Sequence, residues 1–186
     1  MVLMTITPDI KNWTWVLERG CPECAFEASA FQREDVSALL RANAEQWRKV
    51  LAETETENAV RRPTPRTWSM LEYACHVRDC CLVYDERLRL MLTEDDPLYP
   101  NWDQDVTAIA ENYGAQDPAA VSVELVAAAE ALALRFDEVV GEGWTRPGRR
   151  SDGVAFSIET FARYFLHDPV HHFWDVTRGR SGIDAS

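Results

Sequence analysis

This 186-residue sequence has little positive charge to set against its carboxylates: 19 Lys and Arg face 31 Asp and Glu, a formal net charge of -12. Phosphate-backbone binding needs clustered cations, so nucleic acid is excluded as an expected partner. No apolar run approaches the roughly 20 residues of a membrane span. The opening MVLMTITPDIKNWTW has no basic flank, long apolar stretch or cleavage site, so no signal peptide is expected. Five cysteines is an odd count, and three of them fall within one helical pattern, which is not how a secreted disulfide framework is built. The expected setting is therefore the cytoplasm, with no membrane partner. Strand-like alternation is also missing, apart from a short stretch near Thr5. Internal repeats, low-complexity tracts and domain linkers are missing too.

What is present is helical. At 46% hydrophobic and 27% charged residues, the composition is that of an ordinary globular domain able to bury a core. Asp35 is placed to cap a first helix whose apolar face runs through Val36, Leu39, Leu40, Trp47, Val50 and Leu51, and Pro63 and Pro65 close the polar segment that follows it. Ser69-Met-Leu-Glu72 is a capping box opening a second helix to about Leu92. A short helix over 105–113 is expected to end at Gly114. Asp117-Pro118 reads as cap and first residue of a third, alanine-rich helix. GEGWTRPGRRSDG reads as a loop. Ser157 then caps a fourth helix, IETFARYFLHDPVHHFWDV. The fold class expected is all-α, a four-helix bundle with a crossover connection. Residues 1–32 form an irregular N-terminal extension, 33–177 the bundle and 178–186 a tail.

Three of the four histidines lie within FLHDPVHHFWDV. His167 and His171 are four residues apart, so on a helix they share a face, as metal-ligand pairs do. His76 lies two turns into the second helix. One histidine from one helix and two from another would give three nitrogens and an open position, the pattern of catalytic zinc. The plain alternative is that each is a surface or hydrogen-bonded core histidine. His172 points roughly 100° away from His171 and is left out of the set. Pro169 either kinks the helix and re-aims the imidazoles or restarts it and breaks the pair. Asp168, Glu72, Asp79 and Asp175 are candidate acceptors for imidazole N–H groups.

The order and spacing of RTWSMLEYACHVRD and FLHDPVHHFWDV resemble the DinB-like (YfiT-like) superfamily of metalloenzymes. The features carrying the resemblance are Trp68 at a helix start, His76 on that helix and a HxxxH at His167 and His171. It spans about Phe31 to Val176. The resemblance implies an up-down-down-up bundle, usually a homodimer, with a divalent metal on His76, His167 and His171. Zinc is the first expectation, with nickel or manganese as alternatives. The implied chemistry is transfer of a low-molecular-weight thiol, of mycothiol or bacillithiol type, to a small electrophile. Metal-dependent hydrolysis and a non-catalytic metal-binding or stress-response module are the alternatives. Two features depart from the family's pattern: Pro169 inside the HxxxH, and the CPEC segment.

Cys21-Pro22-Glu23-Cys24 has the spacing of a zinc knuckle or a redox pair, but no second CxxC supplies the remaining ligands. It is structurally incidental, part of a metal site, or a redox-sensitive pair. Cys75 reads as core, as do Trp47 and Trp68. Arg163, one turn before His167, is a candidate contact for a cosubstrate, and the basic loop with Arg146, Arg149 and Arg150 could hold an anion.

Overall fold

The computed structural model describes residues 13–177. The expected strand near Thr5 and the tail 178–186 lie outside the described residues. Six helices are described: α1 Val36–Glu53, α2 Thr56–Val60, α3 Met70–Thr93, α4 Gln104–Ala110, α5 Pro118–Asp137 and α6 Ile158–Thr177. The four long ones form the bundle.

Pairs across the helices fix its directions. Arg41 near the start of α1 meets Glu130 and Asp137 late in α5, so α1 and α5 are antiparallel. Arg78 meets Glu124, and Asp85 meets Arg135, so α3 and α5 run parallel. Asn43 and Trp47 reach Pro169, and Trp47 packs on Phe173, so α1 and α6 run parallel. Tyr73 lies on His172 while Tyr84 lies on Phe161, so α3 and α6 are antiparallel. The order is up-down-down-up.

Local signals account for the helix starts. The Ser69 hydroxyl accepts from the Glu72 N–H, and the Glu72 carboxylate accepts from the Ser69 N–H, the reciprocal box that satisfies two end donors. Arg62 closes on the same carboxylate. The Asp117 carboxylate accepts from Ala120 N–H with Pro118 in the first turn. Ser157 and Thr160 satisfy each other's N–H groups at the start of α6. Asp35 precedes α1, but its carboxylate reaches back to Gln32 N–H instead of capping forward.

The alanines of α5 have the use expected of them: Ala128, Ala129 and Ala133 are buried and let α5 sit closely between α1 and α3. Around them Leu40, Trp47, Leu71, Leu88, Met91, Leu125, Leu132, Phe136, Phe161 and Phe165 form the core. Each such side chain contributes about 1.5–3 kcal/mol by leaving water.

Two connections differ from expectation. The segment after α1 contains α2, anchored by the fully buried Ala59. The expected loop over 141–153 contains a 3-10 turn, Gly141–Thr145, and leads into a hairpin of β2 Pro147–Arg150 and β3 Ala155–Ser157; β1 Leu98–Tyr99 pairs in parallel with β2. PGRR carries no alternation, so the pairing is imposed from outside the strand. A Cβ at Gly148 would stand 2.6 Å from Met91 Cγ, so glycine there lets the sheet press onto α3. The short helix α4 ends at Ala110, and Asn112, in the left-handed region at φ 50°, turns the chain ahead of the expected Gly114.

Candidate metal centres

Pro169 lies inside α6 without breaking it. Its carbonyl accepts from Asn43 Nδ2 at 3.4 Å and Trp47 Nε1 at 3.3 Å, so α1 holds the helix at the point where proline weakens it. Spacing of four residues therefore survives on both sides of the proline, and the rings of His167 and His171 lie 5.0 Å apart. Two pairs at that spacing, His167/His171 and Asp168/His172, sit one residue out of step. They face directions roughly 100° apart.

The His167/His171 face looks at the N-terminal segment. There, ligand atoms of Cys21, Cys24, His167 and His171 all lie within 4.8 Å of one another. Cys21 Sγ is 3.6 Å from His171 Nδ1, and His171 Nε2 is 3.3 Å from Glu23 Oε2. His167 Nε2 is buried with no hydrogen-bond partner. Trp13, Trp15 and Phe26 surround the His167 ring. Burial first, and then the neighbouring His171, lowers the His167 pKa to about 4; burial also lowers that of His171. Both imidazoles are therefore neutral near pH 7, the state in which a ring nitrogen can ligate. Burial, reinforced by the adjacent Cys21, pushes the Cys24 thiol up to about 12.

The Asp168/His172 face looks at α3. His76, wholly buried, is stacked on Trp102 with ring centroids 5.3 Å apart, flanked by Trp68 at the same separation, and met edge-on by His172 at 4.9 Å. His76 Nε2 is 3.3 Å from Asp168 Oδ1, and ligand atoms of His76, Cys80 and Asp168 lie within 4.8 Å of one another. His172 Nε2 is 3.9 Å from Asp168 Oδ2, while its Nδ1 is 2.9 Å from Asp175 Oδ2. That carboxylate can accept from an Nδ1–H and so orient the ring, with Nε2 turned toward Asp168. Burial would raise the Asp168 pKa, but the charges of His76 and His172 outweigh it and hold the group well below the usual carboxylate range. Burial, then the charge of Asp168, raises the Cys80 thiol well above its ordinary value, so Cys80 is a neutral thiol beside the carboxylate.

The donor set on this face fits a divalent cation. Among the described residues His76 Nδ1 is buried without a hydrogen-bond partner, and His76 Nε2 and Asp168 Oδ1, both buried, face each other at 3.3 Å without a well-formed hydrogen bond. Orphaned buried polar atoms are expensive, and an ion would satisfy several of them together.

The histidines expected to form one triad are thus divided. His76, His167 and His171 are not gathered into one group at ligand spacing among the described residues. His172, set aside because it points away from His171, does point away, and that direction takes it to His76. The Asp168-x-x-x-His172 spacing was the sequence signal for this face. CPEC, expected to stand apart from the bundle, packs on α6 instead. Arg163 is committed elsewhere: its guanidinium donates to the carbonyls of Ala28 and Phe31 and to Glu159, clamping the N-terminal segment rather than reaching a cosubstrate. Arg146 donates to the Met91 and Glu94 carbonyls, Arg149 pairs with Asp96 and Arg150 with Asp152. Glu72 and Asp79, considered as imidazole acceptors, serve Arg62 and the Ser69 cap, and Arg78 and Tyr113, respectively. Trp47, Trp68 and Cys75 are buried as expected.

Comparison with known proteins adds three findings. A family model described as the DinB superfamily matches residues 39–176. The solved structure of YfiT from Bacillus subtilis superimposes with a TM-score of 0.72 at 13% identity, covering 95% of this chain and 94% of that one. That protein is described as a probable metal-dependent hydrolase with an unusual four-helix bundle topology. A search of curated proteins gives no match.

Proposed function

The chain belongs to the DinB superfamily, and we propose that it is a divalent-metal-dependent enzyme acting on a small molecule at the centre formed by His76, Asp168 and His172. The observation that carries the reading is the wholly buried His76 imidazole, whose Nδ1 has no hydrogen-bond partner among the described residues and whose Nε2 faces Asp168 Oδ1 at 3.3 Å without a well-formed hydrogen bond. His76 and Asp168, whose ligand atoms lie within 4.8 Å of one another and of Cys80, would hold the ion, with His172, its Nε2 3.9 Å from Asp168 Oδ2, as the second imidazole. This mixed donor set suits zinc, and it also admits nickel or manganese. A divalent ion so held would supply Lewis-acid activation of a nucleophile at neutral pH.

The surrounding residues do the rest. Asp175 holds the His172 ring in one orientation. Trp102 stacks on the His76 ring and Trp68 lies against it at a 43° tilt, so the imidazole is screened from bulk solvent, which strengthens the field of Asp168. Hydrolysis is the favoured reaction, because a two-imidazole, one-carboxylate set is a hydrolytic donor pattern and because YfiT, whose fold matches, is described as a probable metal-dependent hydrolase. Thiol transfer, implied by the family resemblance, is the second reading: it would use the same ion to present a thiolate instead of water. A homodimer in the cytoplasm is the accompanying proposal, resting on the resemblance. The net charge of -12 supports the absence of a nucleic-acid partner. No helix among the described residues is long and apolar enough to cross a membrane.

The test is metal retention followed by two substrate panels. Zinc, nickel or manganese binding should be measured for wild type and for Asp168→Asn and His172→Ala. Loaded wild type should then be assayed on small esters and amides, and separately on small electrophiles with a low-molecular-weight thiol. Loss of one metal equivalent in both variants, with turnover in the ester or amide panel, is the expected result. Turnover only with added thiol would replace hydrolysis by transfer. Unchanged metal content in both variants would remove the centre.

A further inference from the structure

We propose that Cys21, Cys24, His167 and His171 form a second, structural zinc site that staples the N-terminal segment to α6. It is separate from the centre at His76 and stands or falls independently of the proposed activity.

The first ground is the donor set. Two sulfurs and two imidazole nitrogens, all mutually within 4.8 Å, come from two segments some 150 residues apart in sequence. Two thiolates and two imidazoles close a tetrahedral shell and leave no position for substrate, which is the structural rather than the catalytic form of zinc binding. The second ground is the turn that carries the sulfurs. Cys21 N–H donates to the Phe26 carbonyl at 2.8 Å, and Ala25 N–H donates to the Cys21 carbonyl at 3.0 Å. Ala25 takes φ 58°, a conformation few alanines adopt. This tight turn brings both sulfurs of a C-x-x-C to one side. The third ground is what lies around the ligands. His171 presents Nδ1 to Cys21 and Nε2 to the Glu23 carboxylate at 3.3 Å, the outer acceptor that ligating histidines ordinarily have. His167 Nε2 is sealed from solvent with no hydrogen-bond partner among the described residues, and zinc would supply one. Arg163 closes the same segment from the other side through the Ala28 and Phe31 carbonyls.

Binding is an exchange without redox change. Zn²⁺ displaces the thiol protons of Cys21 and Cys24, which pass to solvent, and two neutral imidazoles donate lone pairs. Two thiolates and the dication sum to zero charge, so a buried site carries no net charge.

Cobalt(II) reports the site directly, because a thiolate ligand gives a near-ultraviolet charge-transfer band and a tetrahedral site gives strong visible bands. Metal-free full-length protein under reducing conditions should show both when cobalt is added. Cys21→Ser and Cys24→Ser should lose the charge-transfer intensity. His76→Ala and Cys80→Ala should keep it, which separates this site from its neighbour. A second measurement covers variants that fold poorly: alkylation of the wild type, mapped by mass spectrometry. Zinc should slow labelling of Cys21 and Cys24 by at least about tenfold, since coordinated thiolates are withdrawn from reaction. The buried Cys75 and Cys81 serve as unreactive internal references. A folded, cobalt-loaded wild type without the charge-transfer band would overturn the proposal. So would loss of the band in Cys80→Ala alone, labelling of Cys21 and Cys24 that zinc does not slow, or recovery of the two as a disulfide from reducing buffer.

Discussion

The two faces of α6 carry nearly the same pattern and meet different surroundings. His167 and His171 on one face, Asp168 and His172 on the other, are each four residues apart on one helix. The first pair meets a loop bearing two cysteines, and the second meets α3 bearing His76. A helix fixes which side chains share a face, but only the neighbouring element decides what chemistry that face can do. On the loop side the donors are soft and four in number, a set that holds a fold together. On the α3 side they are harder and fewer, beside Trp68 and Trp102, a set that does not by itself complete a shell of soft ligands.

The strongest way to break this comparison is to remove His76. It serves the α3 face alone, so His76→Ala should abolish metal-dependent turnover, by more than about 100-fold given that even outer partners of ligands are worth 10–100-fold. The cobalt–thiolate band of the loop face should persist. Metal titrations read by absorbance and by turnover in parallel check both halves. If both signals vanish together in a folded variant, the two faces are one site.

Asp175→Asn sharpens the distinction at a smaller scale. The Asp175 carboxylate lies 2.9 Å from His172 Nδ1 but 3.9 Å from His171 Nε2, whose nearer acceptor is Glu23 at 3.3 Å. The substitution should weaken metal binding at the His76 centre by about 10–100-fold and leave the cysteine site nearly unchanged. Glu23→Gln should do the reverse. Competition titrations with a chromophoric chelator measure both affinities, and equal losses at both sites in either variant would contradict the assignment of partners.

A third effect concerns the frame that keeps the two faces in step. Trp47 fills the core and donates to the Pro169 carbonyl at 3.3 Å. Trp47→Phe should destabilise the protein by about 1–2 kcal/mol through the lost hydrogen bond and volume. Denaturant unfolding measures it. A loss no larger than that of a surface substitution would mean that α1 does not brace the proline.

How much of this was legible in the sequence follows from where each signal lives. Helix starts at Ser69, Asp117 and Ser157 are written within four residues of the end they cap, and they were readable. The bundle class followed from periodicity, and its direction from the family resemblance. The hairpin at Pro147–Arg150 was not readable, because its pairing partners are Leu98–Tyr99 and Ala155–Ser157 and its glycine answers to Met91 across the fold. The candidate metal residues were half readable. Spacing marked α6 as the helix bearing the candidate ligands, but one residue of rotation separates the two faces, and no local feature says which face meets His76. CPEC lacked partners in sequence because they lie some 150 residues away on α6.

The smallest effect tests whether Glu72 belongs to the frame or to the centre. It lies one turn before His76, yet its carboxylate is spent on Ser69 N–H and Arg62. Burial would raise its pKa, but Arg62 and the Ser69 N–H outweigh that and hold it below the ordinary glutamate value. A lowered folded-state value means that the ionised form stabilises the fold. That contribution is complete above the unfolded value of about 4.3 and disappears as pH falls through the depressed folded value. Wild type should therefore lose stability on acidification below about pH 4.3 more steeply than Glu72→Gln does. At pH 7 the variant should be less stable by about 1 kcal/mol, the usual worth of a helix cap. Thermal midpoints of both proteins across the acid range decide it, with metal affinity at pH 7 as the second readout. Unchanged affinity beside a flattened acid limb leaves Glu72 in the frame that places His76. A loss of affinity as large as that of Asp175→Asn would move it into the centre itself.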